Sequence, residues 1–268
     1  MSLSVGIVGL PNSGKSTLFN TLLKRQVALV ATYPFTTIKP NVGVVTVPDE
    51  RLARLGKLVG AEKVVPAAVK FIDIAGLVKN AHQGEGLGNQ FLAKIREVEA
   101  IVHLVRGFKD ASVAHYYGSV DPQRDKEIVD LELALAEIKK PTLYVLNIAE
   151  GVGEKKGEFL TVNAKTGQGV DKLIGATYKL LGLITFYSLK GGKEVTAWSL
   201  RRGATALEAA GRVHSDMAKG FIKAEVVSFF DLAAIGGWLQ AKQKGKVRLE
   251  GKGYCLQDGD VIEFKFSI

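Results

Sequence analysis

Three short stretches of the chain carry residue types at spacings suited to phosphate chemistry. The first, GLPNSGKSTLFN over 9–20, matches G-x-x-x-x-G-K-[ST] in full at Gly9, Gly14, Lys15 and Ser16. Glycines at those places let the backbone curl so that successive N–H groups face phosphate oxygens. The helix that follows adds the positive end of its dipole. Asn12, Ser13, Gly14, Lys15, Ser16 and Thr17 are therefore expected to bind the phosphates. Lys15, reaching the β and γ phosphates, is the first catalytic candidate, and the Ser16 hydroxyl is expected to ligate Mg²⁺. The second stretch is DIAGL, in which Asp73 closes a strand and is expected to help hold Mg²⁺, while Gly76 offers an N–H to the γ-phosphate. Between the two, YPFTTIKPNVG (33–43) carries Thr36 and Thr37. A hydroxyl there completes the metal shell only when a γ-phosphate is present, which would make the segment a switch. The expected metal set is Ser16, Thr37 and Asp73.

The third stretch concerns the base. A GTP-specific switch needs N-K-x-D, whose aspartate accepts hydrogen bonds from guanine N1–H and N2–H₂. Here the corresponding strand ends in Asn147, Ile148, Ala149 and Glu150, so the lysine is absent and a longer glutamate replaces the aspartate. One guanine selector is thereby removed. The sequence NAKTG (163–167) points the other way, because it looks like the S-A-K loop whose backbone N–H meets guanine O6. Ala164 and Lys165 could flank either purine. The expected base site is Asn147, Ile148, Glu150, Ala164 and Lys165.

These groups have to be placed by strands and helices, and the apolar pattern supplies both. Val5–Gly9, Val69–Gly76, Ala100–Phe108, Pro141–Asn147 and Glu158–Ala164 read as strands. Helical spacing follows Lys15, covers Glu127–Lys139 and recurs over Val170–Leu183. Near-continuous apolar strands alternating with helices predict an α/β domain with a mostly parallel sheet covered on both faces. After about residue 184 the texture changes to strand, amphipathic helix and further short strands, with QDGD as a tight turn. The expected division is a nucleotide-binding domain over 1–184 and a small α+β domain over 185–268.

With 268 residues, 47% hydrophobic and 24% charged, the composition is that of a soluble globular protein, and no apolar run reaches the ~20 residues of a membrane helix. The first residues lack the features of a signal peptide and read as the first strand. A single cysteine, Cys255, excludes an intrachain disulfide, fits a reducing cytoplasm and is expected to be inert. One cysteine and four histidines make no structural zinc site; His103 is expected in the core, and His115 and His214 without partners. The formal charge of +9 suits a polyanionic partner, RNA above all, with Lys242, Lys244, Lys246, Arg248 and Lys252 as the densest basic patch.

The stretches GLPNSGKSTLFN, YPFTTIKPNVGVV, DIAGLVKNAHQGEGLGNQFLAKIRE and VDP, in that order, resemble the Obg-like ATPase, or YchF, family of translation-factor-class P-loop proteins. The likeness continues through VTAWSLRRGATALEAAGRVHSDMAKGFIKAE and GKGYCLQDGDVIEFKFS, which looks like the family's β-grasp TGS domain. The resemblance implies a nucleotide-hydrolysing switch that associates with the ribosome; a monomer in the cytoplasm, using Mg²⁺, is expected. Its N-x-x-E motif implies preference for ATP, with GTP or dual use as the alternative. Leu77 stands where Ras-like enzymes keep a water-orienting glutamine, so the resemblance puts His82 forward as the substitute and implies slow intrinsic turnover. A plain loop histidine is the competing reading of His82. A non-hydrolysing nucleotide sensor is the alternative to the enzyme, and a metabolic P-loop kinase fits poorly. One departure is evident: DKEIVDLELALAEIKKPTLYVLN passes from helix straight to strand, without the long coiled-coil insertion usual in the family.

Overall fold

Strands that are apolar on both faces need helices on both sides, and the first part of the chain folds that way. The computed structural model describes residues 3–27, 41–74, 87–153 and 157–267. They form two compact units, one of Met1–Val45 and Val69–Leu181, the other of Thr46–Ala68 and Gly182–Ile268. Thr36, Thr37, Gly76, Leu77 and His82 lie outside the described residues.

In chain order, the first unit begins with β1 (Ser4–Val8), α1 (Lys15–Val27) and β2 (Val42–Thr46). The chain then leaves for the second unit with α2 (Glu50–Val59) and β3 (Lys63–Val65). It returns with β4 (Ala68–Asp73), α3 (Leu87–Glu97), β5 (Ala100–Arg106), α4 (Pro122–Leu135), β6 (Thr142–Asn147), β7 (Leu160–Val162) and α5 (Val170–Leu180). The sheet order is β2-β4-β1-β5-β6-β7, and β4, β1, β5, β6 and β7 run parallel. All residues of β1 and β5 are buried, the polar Ser4, His103 and Arg106 among them. The face that includes Ile74, Ile95, Ile101 and Val129 packs α3 and α4 into one cluster. Helix α4 opens on Asp121, whose side chain accepts from Arg124 N–H, with Pro122 in the first turn. It ends at Leu135 rather than Lys139, and β6 follows after six residues.

The second unit adds β8 (Leu183–Lys190), β9 (Glu194–Arg201), α6 (Ala206–Val213), α7 (Ser215–Lys219), β10 (Phe221–Ser228), α8 (Phe229–Ile235), α9 (Trp238–Gln243), β11 (Arg248–Glu250) and β12 (Asp260–Phe266). The sheet order is β11-β10-β12-β8-β9-β3. The central pair, β12 and β8, is parallel while β8 and β9 form an antiparallel hairpin, and α6 covers the face carrying Phe186, Leu200, Val226 and Ile262. That is a β-grasp arrangement. The QDGD segment forms the expected turn, Asp260 N–H donating to the Gln257 carbonyl, but it joins no hairpin: β11 and β12 lie on opposite sides of β10.

The stretch Thr46–Ala68, placed by sequence within the 1–184 domain, instead completes the second sheet. Strand β3 pairs in parallel with β9, Val64 facing Val195, and forms the sheet's edge. Asp49, the N-cap of α2, explains the attachment. Its carboxylate accepts from Arg51 Nε and Nη2 at 2.9 and 3.0 Å and from the buried Tyr187 hydroxyl of β8 at 2.5 Å. Arg51 in turn reaches Asp258 at 2.7 Å, and Asp258 accepts from Thr185 N–H. Asp49 and Arg51 are neighbours, but the links to Tyr187 and Asp258 and from Asp258 to Thr185 span 73 to 207 residues, and no local pattern announces them.

Candidate functional site

The phosphate loop follows from two glycines whose positions no other residue could take. A Cβ on Gly9 would lie 2.3 Å from the Leu104 carbonyl of β5, and one on Gly14 (φ +96°) would lie 2.4 Å from Asn147 Nδ2. The loop is thus laid directly on the carboxyl ends of β5 and β6, where open α/β sheets bind their ligands. Helix α1 begins at Lys15 and is anchored by buried Leu18, Phe19 and Leu22. Asn12 takes the left-handed conformation (φ 63°) that asparagine tolerates, and its side chain donates to the Ala114 carbonyl.

Lys15 is nearly buried, and its ammonium donates to the Leu10 carbonyl at 2.8 Å. Burial lowers its pKa from 10.5 to about 8, against the raising pull of Asp73. Ser16 Oγ donates to Asp73 Oδ2 at 2.8 Å, joining the two sequence motifs. Asp73 Oδ1 is buried with no hydrogen-bond partner among the described residues. A hydroxyl beside a carboxylate with a spare buried oxygen is a hard-oxygen donor set that fits Mg²⁺. Of the expected metal residues, Ser16 and Asp73 are together; Thr37, with the catalytic candidates Gly76 and His82, falls outside the described residues.

The expected base residues also converge. Gly14, Thr17, Asn147, Ile148, Glu150, Ala164 and Lys165 line one cavity of about 180 Å³. Asn147 also has a structural role. Its Nδ2 donates to the Ser13 carbonyl and its Oδ1 accepts from Ala164 N–H, both at 3.0 Å, so one side chain stitches the phosphate loop to the 163–167 loop. Asn163 shapes that second loop, accepting from Lys165 and Thr166 N–H and donating to the Ile148 carbonyl. Ala164 is held further by Thr21, whose hydroxyl donates to its carbonyl.

The sequence reading missed further lining residues: Phe108, Lys109 and Asp110, just beyond β5. A usable signal existed, since GFKD follows a buried parallel strand at its carboxyl end. It also missed the partner of His115, whose Nε2 lies 2.7 Å from Asp125 Oδ2, brought there by the first turn of α4. His214 caps α7, its Nδ1 accepting from Asp216 N–H. His103 is fully buried, and desolvation lowers its pKa, so it is a neutral core residue. Cys255 is exposed and free.

The basic patch is less free than its sequence suggests. Lys242 pairs with Glu225 at 2.7 Å, and Arg248 lies near Glu250, Asp260 and the Tyr254 hydroxyl. A second cavity, of about 550 Å³, opens within the second unit between Trp198, Phe264, Phe266 and Met217. Its rim acids Glu194, Asp216 and Glu263 each have a lysine within 4 Å. Among the described residues no helix is long and apolar enough to cross a membrane.

Comparison with known proteins covers the whole chain. Residues 4–148 match the family model described as 50S ribosome-binding GTPase, and residues 183–267 match the YchF GTPase C-terminal model, described as a protein of unknown function. A ribosome-binding ATPase YchF from Bacillus subtilis (strain 168) is 40% identical over 368 aligned positions, with 100% of each chain covered. That alignment is 100 positions longer than this chain. The protein of the same name from Escherichia coli O157:H7 is 36% identical, again over 100% of both. The solved structure of the Schizosaccharomyces pombe YchF GTPase superposes with a TM-score of 0.82 at 26% identity, covering 98% of each chain. A GTP-binding protein from Pyrococcus horikoshii OT3 shares the fold at a TM-score of 0.56.

Proposed function

This chain belongs to the YchF family, and from that premise we propose that it binds Mg²⁺–ATP in preference to GTP, hydrolyses it slowly, and couples nucleotide state to ribosome binding. The names of its relatives divide between ATPase and GTPase, so the base has to be argued from the site. The observation that carries the reading is the hydrogen bond from Ala164 N–H to Asn147 Oδ1. Guanine's 6-oxo group needs a donor at that place, and this one is committed inside the protein. The Glu150 carboxylate at the cavity is an acceptor, which suits adenine's 6-amino group, and it stands one methylene away from the aspartate that reads guanine. Glu150 is exposed, so the discrimination rests on guanine's 6-oxo group, which would enter the site without a donor.

Gly14, Lys15 and the first N–H groups of α1 bind the phosphates, and the Lys15 ammonium stabilises charge as the β–γ bond breaks. Ser16 and Asp73 would hold Mg²⁺, with Thr37 as the proposed third protein ligand; the ion neutralises phosphate charge when bound. Leu77 has no hydrogen-bonding group, so the attacking water is left to another residue, proposed as His82, and intrinsic turnover is slow. The second unit, with its β-grasp sheet and the exposed lysines 244, 246 and 252, is proposed as the TGS-type module that meets ribosomal RNA. A monomer working in the cytoplasm accords with this reading.

Titration with ATP and GTP in Mg²⁺ tests the base assignment. The wild type is expected to prefer ATP by tenfold or more, about 1.4 kcal/mol. Glu150→Asp is expected to move the ratio towards GTP by a similar factor. A wild-type preference for GTP sinks the assignment. Co-sedimentation with ribosomal subunits, with and without each nucleotide, tests the partner.

A further inference from the structure

Arg106, the last residue of β5, is only 3% exposed. Its guanidinium donates to main-chain carbonyls of one loop. Nε reaches Phe108 at 3.1 Å, Nη2 reaches Val113 at 2.8 Å and Asp110 at 3.5 Å, and Nη1 reaches Ala114 at 3.4 Å. The guanidinium carbon also lies 4.6 Å from the centroid of the Phe108 ring. The same loop is gripped from the phosphate side, since Asn12 Nδ2 donates to the Ala114 carbonyl at 3.0 Å. Phe108, Lys109 and Asp110 line the same cavity as Ala164 and Lys165, and Asp110 Oδ2 lies 4.0 Å from Lys165 Nζ.

We propose that Arg106 is a positioning residue for base recognition: it folds the 108–114 loop into the wall against which the purine is read. The inference rests on the nucleotide reading above. A buried guanidinium is costly to desolvate, and here its donors are spent on carbonyls that the loop's irregular backbone would otherwise leave unpaired. Only a planar fork spans four such acceptors; an ammonium makes a point contact. The shared Ala114 carbonyl makes the phosphate loop and the base wall one hydrogen-bonded piece. Arg106 itself is not a wall residue of the cavity.

The test compares Arg106→Gln and Arg106→Lys with the wild type for affinity towards ATP, GTP and inorganic tripolyphosphate, each with Mg²⁺, alongside thermal melts. Both variants are expected to lose tenfold or more in ATP affinity, about 1.4 kcal/mol, and to let the ATP/GTP ratio fall towards one. Tripolyphosphate binding is expected to change much less, because Arg106 bonds to the 108–114 loop and, among the described residues, the phosphate loop hydrogen-bonds to that loop only through Asn12. A parallel loss of ATP and tripolyphosphate affinity would reduce Arg106 to a fold residue and overturn the proposal, as would unchanged ATP affinity. If Arg106→Gln melts before it can be titrated, Phe108→Ala gives the decision: unchanged ATP affinity and base ratio mean the loop is no base wall. A wild type that binds ATP and GTP alike overturns the adenine assignment alone. The gap between ATP and tripolyphosphate then still reads out Arg106.

Discussion

Lys15→Met protein melts no lower than the wild type without nucleotide, yet hydrolysis is abolished and ATP affinity falls by ~100-fold or more, about 2.7 kcal/mol. The two halves of this result have opposite physical origins. In the free protein the ammonium is desolvated, with one carbonyl partner and a lowered pKa of about 8, so it costs the fold stability. An apolar chain of similar length removes that cost. With a polyphosphate bound, the same ammonium meets the charge it was placed for, and losing a preorganised donor of this kind lowers turnover by on the order of 10²–10³-fold or more. Melting curves and nucleotide titration separate the two, and a variant that both melts early and binds weakly would mean that the lysine is structural.

The lowered pKa adds a pH signature. The charged lysine binds phosphate, so affinity should be level below about pH 8 and decline above it, by up to tenfold per pH unit. Stability runs the other way. Between pH 8 and 10.5 the unfolded chain holds this proton and the folded chain does not, so the residue's contribution to stability rises with pH through that window. Both trends should vanish in Lys15→Met, and calorimetry across pH 7–9.5 would see it.

Asp49→Ala should be the most damaging single change to the second unit. It removes the N-cap of α2, leaves Arg51 without its two shortest contacts on that side, and strands the Tyr187 hydroxyl in the core. The network is only partly buried, so losing the cap (~1 kcal/mol) and the charged hydrogen bonds (~2 kcal/mol) costs about 3 kcal/mol. For a protein of this size that corresponds to a drop of roughly 10 °C in melting temperature. Asp49→Asn keeps the cap and an acceptor and should fall between; Tyr187→Phe should lose only its one bond. An Asp49→Ala protein melting within ~2 °C of wild type would show that the network contributes little.

What could be read from sequence divides by range. The phosphate loop, Asp73 and the alternating first domain were legible because each is encoded by neighbours in the chain: glycines before a lysine, a buried strand ending in an acid. The family was legible from long ordered motifs. The structural side of Asn147 was not legible, because a base-recognition motif names the residue without saying that its amide also holds Ser13 and Ala164. The wall at Phe108–Asp110 went unseen because its shape depends on Arg106 turning inwards, which no spacing reveals. The path of 46–68 was least visible. Its amphipathic helix and short strand are ordinary locally, and only contacts with β8, β9 and Asp258 decide which sheet receives them.

That path has a consequence for how the protein can be taken apart. The backbone passes between the two units at 45/46, 68/69 and 181/182. A fragment begun at Gly182 would therefore carry the span of the C-terminal family match and still be an incomplete fold, missing an edge strand and leaving Tyr187 without its carboxylate. The nucleotide unit cut at 181 would carry the complementary surplus, a helix and strand with no sheet to join. A contiguous cassette begun or ended at 181/182 therefore cuts through the second fold.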